Sequence, residues 1–172
     1  MPFYPGPGMG GHCIPIDPFY LSWKAKEYNT EAKFIELAGE INRKMTESIA
    51  HRVGKALNDD GKSVRGSKIM ILGIAYKKDI DDVRESPALR IMELLDFKGA
   101  EICYHDPYVS KLNGKTSTKL NSSNIKKQDA IIITTDHSNV DYDSIGKHAK
   151  LIVDTRNIMA KVKNPNARVL RA

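Results

Sequence analysis

The 172-residue sequence lacks several features that define specialised classes of protein. It has only two cysteines, Cys13 and Cys103, which are too few for a disulfide-stabilised scaffold in a chain of this length. No apolar run approaches the ~20 residues of a membrane helix, and the first residues lack the basic start and apolar stretch of a secretion signal. With 41% hydrophobic and 28% charged residues, these absences predict a globular, cytoplasmic protein without a membrane partner.

The chain also lacks a concentrated basic segment, although its net charge is +6. An excess of positive charge favours an anionic partner such as nucleic acid, phosphate or a membrane surface. The lysines are scattered, however, and no aromatic residues alternate with them as they would in a nucleic-acid-binding stripe. We therefore expect a solvated surface and no nucleic-acid partner.

The first of three stretches with different compositions runs from Met1 to Asp17 and is dense in glycine and proline. Neither a helix nor a central strand tolerates so many of these residues, so a loop is predicted. Asp17 followed by Pro18 is typical of an N-cap and a first-turn proline, which predicts a short helix to about Glu27.

The second stretch predicts a long helix from about Glu31 to Asp59, ended by Gly61. Its apolar residues recur at spacings of three and four: Ile35, Ala38, Ile41, Met45, Ile49, Val53 and Leu57. This stripe fits a core helix lying along the following domain. It also fits a connecting helix that packs against a second subunit, and we expect a mixture of the two.

The third stretch, from about Ser67 onwards, alternates short apolar runs with helical segments. Helices are predicted from Ser86-Pro87 to Gly99 and from Tyr142 to Ala149, and residues 110–124 are interpreted as a surface excursion. Strands are predicted at Lys68–Ile74, Glu101–Tyr104, Asp129–Thr135, Leu151–Asp154 and Arg168–Leu170. This order predicts an α/β, Rossmann-like domain with a mostly parallel sheet, which binds ligands at the carboxyl ends of its strands.

Cys13 follows three glycines of the first loop, in the segment Gly8 to Asp17. Glycines allow a ligand to approach the sulfur closely, and a thiol in a polar loop can act as a nucleophile. A lone cysteine is more often a small buried hydrophobic residue, so both interpretations stay open. His12, Cys13 and Asp17 have no further ligands at metal-binding spacing, so no metal site is predicted.

Polar residues also follow two of the predicted strands. Tyr76 and Lys77 follow the first strand, where a lysine can bind a diphosphate and a tyrosine ring can stack. The alternative is a solvated loop of mixed charge. Arg156 follows the fourth strand, and its alternative role is an ion pair with Asp154 or another acid. The sequence suggests no chemistry for Cys103, His105, His137 or His148.

Long motifs in this chain resemble the UDP-glucose/GDP-mannose dehydrogenase family. They are FYPGPGMGGHCIPIDPFYLSWKA, GIAYKKDIDDVRESPALRIMELL, YHDPYV and DTRN. The resemblance continues through the long helix and covers nearly the whole chain in order. The form GGHCIPIDP is most similar to the UDP-N-acetylglucosamine (or UDP-N-acetylgalactosamine) 6-dehydrogenase branch, since UDP-glucose and GDP-mannose members usually carry a serine in place of His12.

The resemblance implies an NAD-dependent oxidation of the C6 alcohol of a UDP-sugar to a carboxylate, for the synthesis of surface polysaccharide precursors. Cys13 would form a thiohemiacetal and then a thioester in two successive hydride transfers, and Asp17 would orient or activate water, or cap its helix. The alternative function is a nucleotide-sugar-binding module without chemistry.

The resemblance also implies a set of binding residues. The nucleotide sugar would contact Tyr4, Pro5, Gly6, Pro7, Gly8, Met9, Gly10, Tyr76, Lys77 and Arg156. The NAD cofactor would contact Cys13, Ile14, Pro15, Ile16 and Arg84. An active-site loop (1–17), a helical segment that forms a homodimer (18–61) and a UDP-sugar-binding domain (62–172) are expected, with the NAD-binding domain lying upstream of this chain.

Overall fold

A computed structural model describes residues 4–172, so the first three residues of the predicted loop at 1–17 lie outside the described part. Two helices precede an α/β unit. The elements are α1 (Asp17–Lys26), α2 (Lys33–Asp59), β1 (Lys68–Leu72), α3 (Pro87–Phe97), β2 (Glu101–His105), β3 (Lys111–Leu112), β4 (Lys115–Thr116), α4 (Ser122–Lys127), β5 (Ala130–Ile133), α5 (Tyr142–His148), β6 (Leu151–Asp154), a 3-10 helix (Ile158–Lys161) and β7 (Arg168–Arg171).

The main sheet has five strands in the order β2-β1-β5-β6-β7, and every neighbouring pair is parallel. The predicted α/β fold with a mostly parallel sheet is therefore confirmed. Continuous apolar runs such as Ile131 to Ile133 form the central strands because both faces of these strands are covered. The chain leaves β1 towards β2 and later returns to β5 on the other side of β1. The carboxyl ends of β1 and β5 thus form the switch point at which such sheets bind ligands.

Both faces of the sheet carry a hydrophobic cluster. On one face, α2 and α3 bury Ile49, Leu57 and Ile91 against β1 and β5. On the other face, Ile125 of α4 and Ile145 of α5 are fully buried. Each such side chain contributes about 1.5–3 kcal/mol of transfer free energy relative to exposure. These two clusters fix the positions of the strand ends that form the candidate site.

The ends of the long helix and of α3 lie close to the predicted residues. Gly61 adopts a φ of 70°, and the N–H of Lys62 donates to Leu57 O at 2.9 Å, which closes the last turn of α2. Ser86 is the N-cap of α3, since its hydroxyl accepts from the N–H of Ala88. The predicted start at Ser86-Pro87 and the predicted stop at Gly61 are confirmed.

The start of α1 differs from the prediction, because Ile16 is the N-cap and Asp17 lies inside the first turn. The physical reason is that Cys13 O accepts hydrogen bonds from the N–H groups of Ile16, at 3.1 Å, and Asp17, at 2.7 Å. The chain is therefore already turning at the cysteine, and the interpretation of Asp17 as an N-cap was wrong.

The surface excursion predicted at 110–124 contains regular structure. The antiparallel pair β3–β4 forms a small hairpin around Asn113 and Gly114, both with positive φ. An Asn-Gly pair between short strands is a strong hairpin signal, which the interpretation from composition missed. Asn121 then caps α4 by accepting from the N–H of Asn124.

The apolar stripe of α2 divides into a buried half and an exposed half. Ile49, Val53 and Leu57 are fully buried, whereas Ala38 is exposed and Ile41 is 51% exposed. The interpretation as a core helix therefore holds for the second half of α2 only. Within residues 4–172, no helix is both long enough and apolar enough to cross a membrane.

Candidate active site at the strand ends

The glycine loop that carries Cys13 lies across the carboxyl ends of the parallel strands. At its start, Gly6 packs against the guanidinium of Arg156, which follows β6. Near its end, the N–H of Gly11 donates to Arg84 O at 2.9 Å. Because β5 lies between β1 and β6, the loop bridges the crevice at the switch point of the sheet.

Glycine is required where the loop meets the β1–α3 connection. A Cβ atom added at Gly10 would lie 2.5 Å from Tyr76 Cβ and 2.7 Å from Glu85 O, closer than real Cβ contacts. Backbone and a buried side-chain stem cannot move aside easily at these distances. The two sequence motifs that predicted the loop and the strand-end residues are therefore in direct contact.

Asn42 on α2 holds the loop from the other side. Its Oδ1 accepts from the N–H of Met9 at 2.7 Å, and its Nδ2 donates to Met9 O at 3.3 Å. This pair of bonds satisfies both backbone groups of one loop residue, as a neighbouring strand would. Sequence reasoning missed Asn42, whose only signal is an amide side chain beside the apolar stripe of a long helix.

Cys13 lies at the exposed surface of this assembly. Its Sγ is 4.0 Å from Nε2 of His12, and the exposed side chains of Ile14 and Ile16 follow it. Pro15, between them, is half-buried. The exposed sulfur fits the interpretation as a nucleophile better than that of a buried hydrophobic residue.

Arg84 lies within electrostatic range of the cysteine and is oriented by Asp82. Its Nε is 3.0 Å from each carboxylate oxygen, and its Nη2 is 2.6 Å from Oδ2. The pKa of Arg84 is raised chiefly by this hydrogen-bonded pair, with smaller contributions from the charges at Tyr76 and Cys13. The same pair lowers the pKa of Asp82 to about 2. The guanidinium is therefore held in one orientation while 60% of the side chain remains exposed.

Two further cationic side chains lie at the strand ends. Lys77 is exposed after β1 and forms no ion pair within residues 4–172. Arg156 Nε is 3.2 Å from Asp136 Oδ1, while its backbone N–H donates to Asp154 Oδ1 at 2.9 Å. The acidic partner of the Arg156 guanidinium is thus Asp136. The Asp154 carboxylate instead orders the turn that follows β6.

Family models match two parts of this chain. The UDP binding domain of the UDP-glucose/GDP-mannose dehydrogenase family matches residues 70–161, and the central domain of the same family matches residues 1–44. The first match alone covers more than half of the chain. The chain belongs to the UDP-glucose/GDP-mannose dehydrogenase family.

Curated relatives are about one third identical to this family member. UDP-N-acetyl-D-mannosamine dehydrogenase of Pyrococcus horikoshii is 37% identical over 160 residues, which are 90% of this chain and 36% of the relative. UDP-glucose 6-dehydrogenase of Rhizobium meliloti is 31% identical over 166 residues, 91% of this chain and 37% of the relative. The chain thus spans little more than a third of the length of these relatives.

Solved structures of family members share the fold. UDP-D-ManNAc dehydrogenase from Pyrococcus horikoshii superposes with a TM-score of 0.80 at 33% identity, covering 97% of this chain and 40% of that one. A ternary complex of GDP-mannose dehydrogenase from Pseudomonas aeruginosa has a TM-score of 0.76 at 19% identity, covering 96% and 40%. The second likeness supports the fold alone.

The structure brings together some of the residues that the sequence predicted for this family member's site. Gly6 lies against Arg156 and Gly10 against Tyr76, whereas Gly8 packs against Pro87 and the side chains of Tyr4 and Pro5 are exposed. No group of three potential metal-ligating side chains occurs among the described residues. A cleft of about 890 Å³ adjoins the loop and is lined by Met9, Ile14, Phe19, Arg43, Pro87, Arg90 and neighbouring residues. Its lining includes Gly8, Met9, Ile14 and Pro15 of the predicted site but not Cys13, Tyr76 or Arg156, so it overlaps the predicted site only in part.

Sequence reasoning missed a buried polar pair behind the site. His137 and Asp106 are both almost completely buried, and His137 Nε2 is 3.1 Å from Asp106 Oδ2. Each lies just after a strand, on the loops that follow β5 and β2. The available signal was their position at strand ends, where polar residues of parallel sheets gather.

Proposed function

We propose that this chain supplies the catalytic cysteine and the nucleotide-sugar-binding region of an NAD-dependent UDP-sugar 6-dehydrogenase. The observation that carries the proposal is the position of the glycine loop. It holds an exposed Cys13 beside the carboxyl ends of a parallel sheet, where Lys77 and Arg156 also lie.

The strand ends have the chemistry that binds a nucleoside diphosphate. Lys77 offers a compact charge, and Arg156 offers a planar guanidinium that matches phosphate oxygens. Tyr76 contributes a half-buried ring next to the loop. The loop residues Tyr4 to Gly10 would lie along the bound sugar nucleotide, and the backbone N–H groups of Gly6, Gly8 and Gly10 would bond its oxygens.

Cys13 would divide the oxidation into steps of lower barrier. After the C6 alcohol is oxidised to an aldehyde, the thiolate adds to the carbonyl carbon and forms a thiohemiacetal. Loss of a second hydride and a proton converts this adduct into a thioester. Water then attacks the thioester carbonyl, which releases the carboxylate and regenerates the thiol. Asp17, exposed in the first turn of α1, would orient that water.

The residues around the cysteine fit a dinucleotide. The exposed Ile14 and Ile16 offer an apolar surface to a ring, and Arg84 keeps free N–H donors for a phosphate. When bound, NAD accepts the hydride released in each of the two oxidations. The role of this chain is to hold Arg84 in place through Asp82 and to keep the sulfur accessible.

Exposed apolar side chains on the first half of α2 support a homodimer as part of the proposal. Phe34, Leu37 and Ile41 present apolar surface that residues 4–172 leave uncovered. Exposed apolar patches of this kind commonly mark protein–protein contacts. The helical segment 18–61 would form this contact, between the active-site loop 1–17 and the UDP-sugar-binding domain 62–172.

The substrate is proposed to be a UDP-N-acetylhexosamine. The form of the cysteine loop favoured UDP-N-acetylglucosamine, whereas the Pyrococcus relative is named for UDP-N-acetyl-D-mannosamine. UDP-glucose is the third candidate, from the name of the Rhizobium relative. Measured ratios of kcat/KM for the three sugars would decide among them.

The test uses a joined polypeptide, in which the part of the Pyrococcus horikoshii relative that precedes the matched region is fused to this chain. We expect NADH production that depends on a UDP-sugar and ends in the uronate, and Cys13→Ser should stop the second oxidation because the sulfur acts only after the aldehyde has formed. The control is Cys103→Ser, because Cys103 lies within β2 and contacts Gln128. Binding of UDP by this chain without any turnover of the joined polypeptide would favour the alternative, a nucleotide-sugar-binding module without chemistry.

A further inference from the structure

His137 is a buried, titratable side chain to which the proposed reaction gives no part. Its side chain is 0% exposed, and its Nε2 is 3.1 Å from Oδ2 of the equally buried Asp106. Replacing both partners of a buried hydrogen-bonded pair by apolar groups of similar shape is often nearly neutral or stabilising. Stability alone therefore does not account for the pair, and its contacts point to another role.

One contact of the pair is with the start of the β1–α3 loop. Asp106 Oδ2 accepts the N–H groups of Ile74 at 2.7 Å and Ala75 at 3.1 Å. Its Oδ1 accepts the N–H groups of Tyr108 and Val109 on its own loop. Burial raises the pKa of Asp106, but hydrogen bonds from His137 and from backbone N–H groups lower it by more, to about 2. The carboxylate therefore stays ionised and fully bonded.

The other contact lies further along the same loop. The N–H of Asp79 donates to His137 Nδ1 at 3.0 Å, so Nδ1 is an acceptor and the ring proton lies on Nε2. Asp79 has a φ of 60°, and its carboxylate accepts from the N–H and the hydroxyl of Ser138, both at 2.7 Å. Ser138, the residue after His137, thus adds two more hydrogen bonds that hold Asp79 in place.

Tyr76 and Lys77 lie between these two anchored points. The loop is held at Ile74 and Ala75 by Asp106 and at Asp79 by His137, and the side chains proposed to bind the nucleotide sugar project from the segment in between. A single imidazole with a fixed tautomer joins the two anchors. A loop held at both ends is pre-organised for its ligand, whereas a free loop must be ordered on binding.

We propose that His137 is a positioning residue for nucleotide-sugar binding, which joins Asp106 to the backbone of Asp79 and so fixes the loop carrying Tyr76 and Lys77. This proposal rests on the proposed function, because it assumes that the loop binds the sugar nucleotide.

UDP binding to this chain tests the proposal, with calorimetry at a temperature below the unfolding transition of every variant. His137→Gln keeps an N–H for Asp106 but replaces the rigid ring acceptor Nδ1 with an amide oxygen on a flexible side chain, which holds the N–H of Asp79 less firmly. If the loop is then binding-competent for about a tenth of the time, the Kd for UDP rises about tenfold. The matched control is His148→Gln, since His148 is partly buried, forms a hydrogen bond with Ser144 O and lies away from the loop. Its Kd should stay unchanged.

The outcomes separate this proposal from the proposed function. No UDP binding by the unsubstituted chain would overturn the proposed function, and the His137 role with it. Normal UDP binding by a folded His137→Gln variant would overturn the His137 role alone, even if its unfolding temperature falls. A tenfold rise in Kd together with an unchanged control supports it.

A second variant applies if His137→Gln does not fold. Asp79→Gly removes the bonds to Ser138 at an exposed position whose positive φ suits glycine, so the fold should persist. A rise in its Kd supports the anchoring of the loop, and an unchanged Kd contradicts it. Nitrogen NMR of His137 gives an independent readout. The protonated nitrogen should be Nε2, and a proton on Nδ1 would overturn the geometry.

Discussion

The α/β unit and the helical segment before it bury their apolar residues very differently. In the strands β1, β5 and β6, almost every apolar side chain is fully buried between two layers of helices. In α1 and the first half of α2, large side chains such as Trp23, at 64%, and Phe34, at 89%, are exposed. This difference indicates that the α/β unit provides most of the stability of the fold. The proposed chemistry takes place in a loop that is held in position by contacts with this unit.

The contrast between the two regions is tested most strongly by truncating one isoleucine in each of them. Ile132→Ala, at the centre of β5, should lower the free energy of unfolding by about 2–5 kcal/mol, because it leaves a cavity between both layers. Ile41→Ala, in the exposed half of α2, should change it by no more than about 0.5 kcal/mol. Urea unfolding of the two variants measures both values, and equal losses would contradict the division into two regions.

A smaller effect is expected where the two regions meet. Gly10→Ala places a Cβ against Tyr76 and Glu85, so the loop must lift from the strand ends. We expect about tenfold weaker UDP binding, which corresponds to about 1.4 kcal/mol, with little change in unfolding. The control is Gly54→Ala, whose added Cβ would lie 3.3 Å from Val64 Cγ2, away from the loop. Unchanged UDP binding by Gly10→Ala would show that the loop contact is not needed.

These contacts also show how far sequence reasoning reached. The parallel sheet followed from continuous β-branched runs, and the loop followed from its glycines, because both patterns constrain the backbone directly. Asn42 and His137 were not predicted, since their roles depend on distant residues that only the folded chain brings within reach. The start of α1 was misplaced because the turn begins at a backbone acceptor, Cys13 O, which no side-chain pattern reveals.

Acid should destabilise the α/β unit through Asp129. Burial raises its pKa, but hydrogen bonds from Lys62 and the N–H of Lys68 lower it to about 2. A carboxyl with a lowered pKa stabilises the fold fully above its unfolded value of about 3.9, and the contribution is lost as pH falls towards about 2. Between pH 4 and pH 2, the free energy of unfolding should fall less in Asp129→Asn than in the unsubstituted protein, and the difference should be at most about 1 kcal/mol. An identical pH dependence in Asp129→Asn and the unsubstituted protein would show that Asp129 makes no such contribution.

The smallest expected change in monomer stability comes from the exposed apolar side chains Phe34, Leu37 and Ile41 of α2. Leu37→Lys adds charge to a side chain that is 52% exposed, so the fold should keep its free energy of unfolding. If these side chains form the homodimer contact, light scattering should show a shift from dimer to monomer. A dimer that persists in Leu37→Lys would place the contact elsewhere.

The most direct test of the proposed chemistry is the yield of uronate from the joined polypeptide with and without the sulfur of Cys13. We expect the unsubstituted protein and Cys103→Ser to form two NADH for each uronate. Cys13→Ser should form no uronate while it still binds UDP. Complete uronate formation by Cys13→Ser would contradict the role assigned to this cysteine.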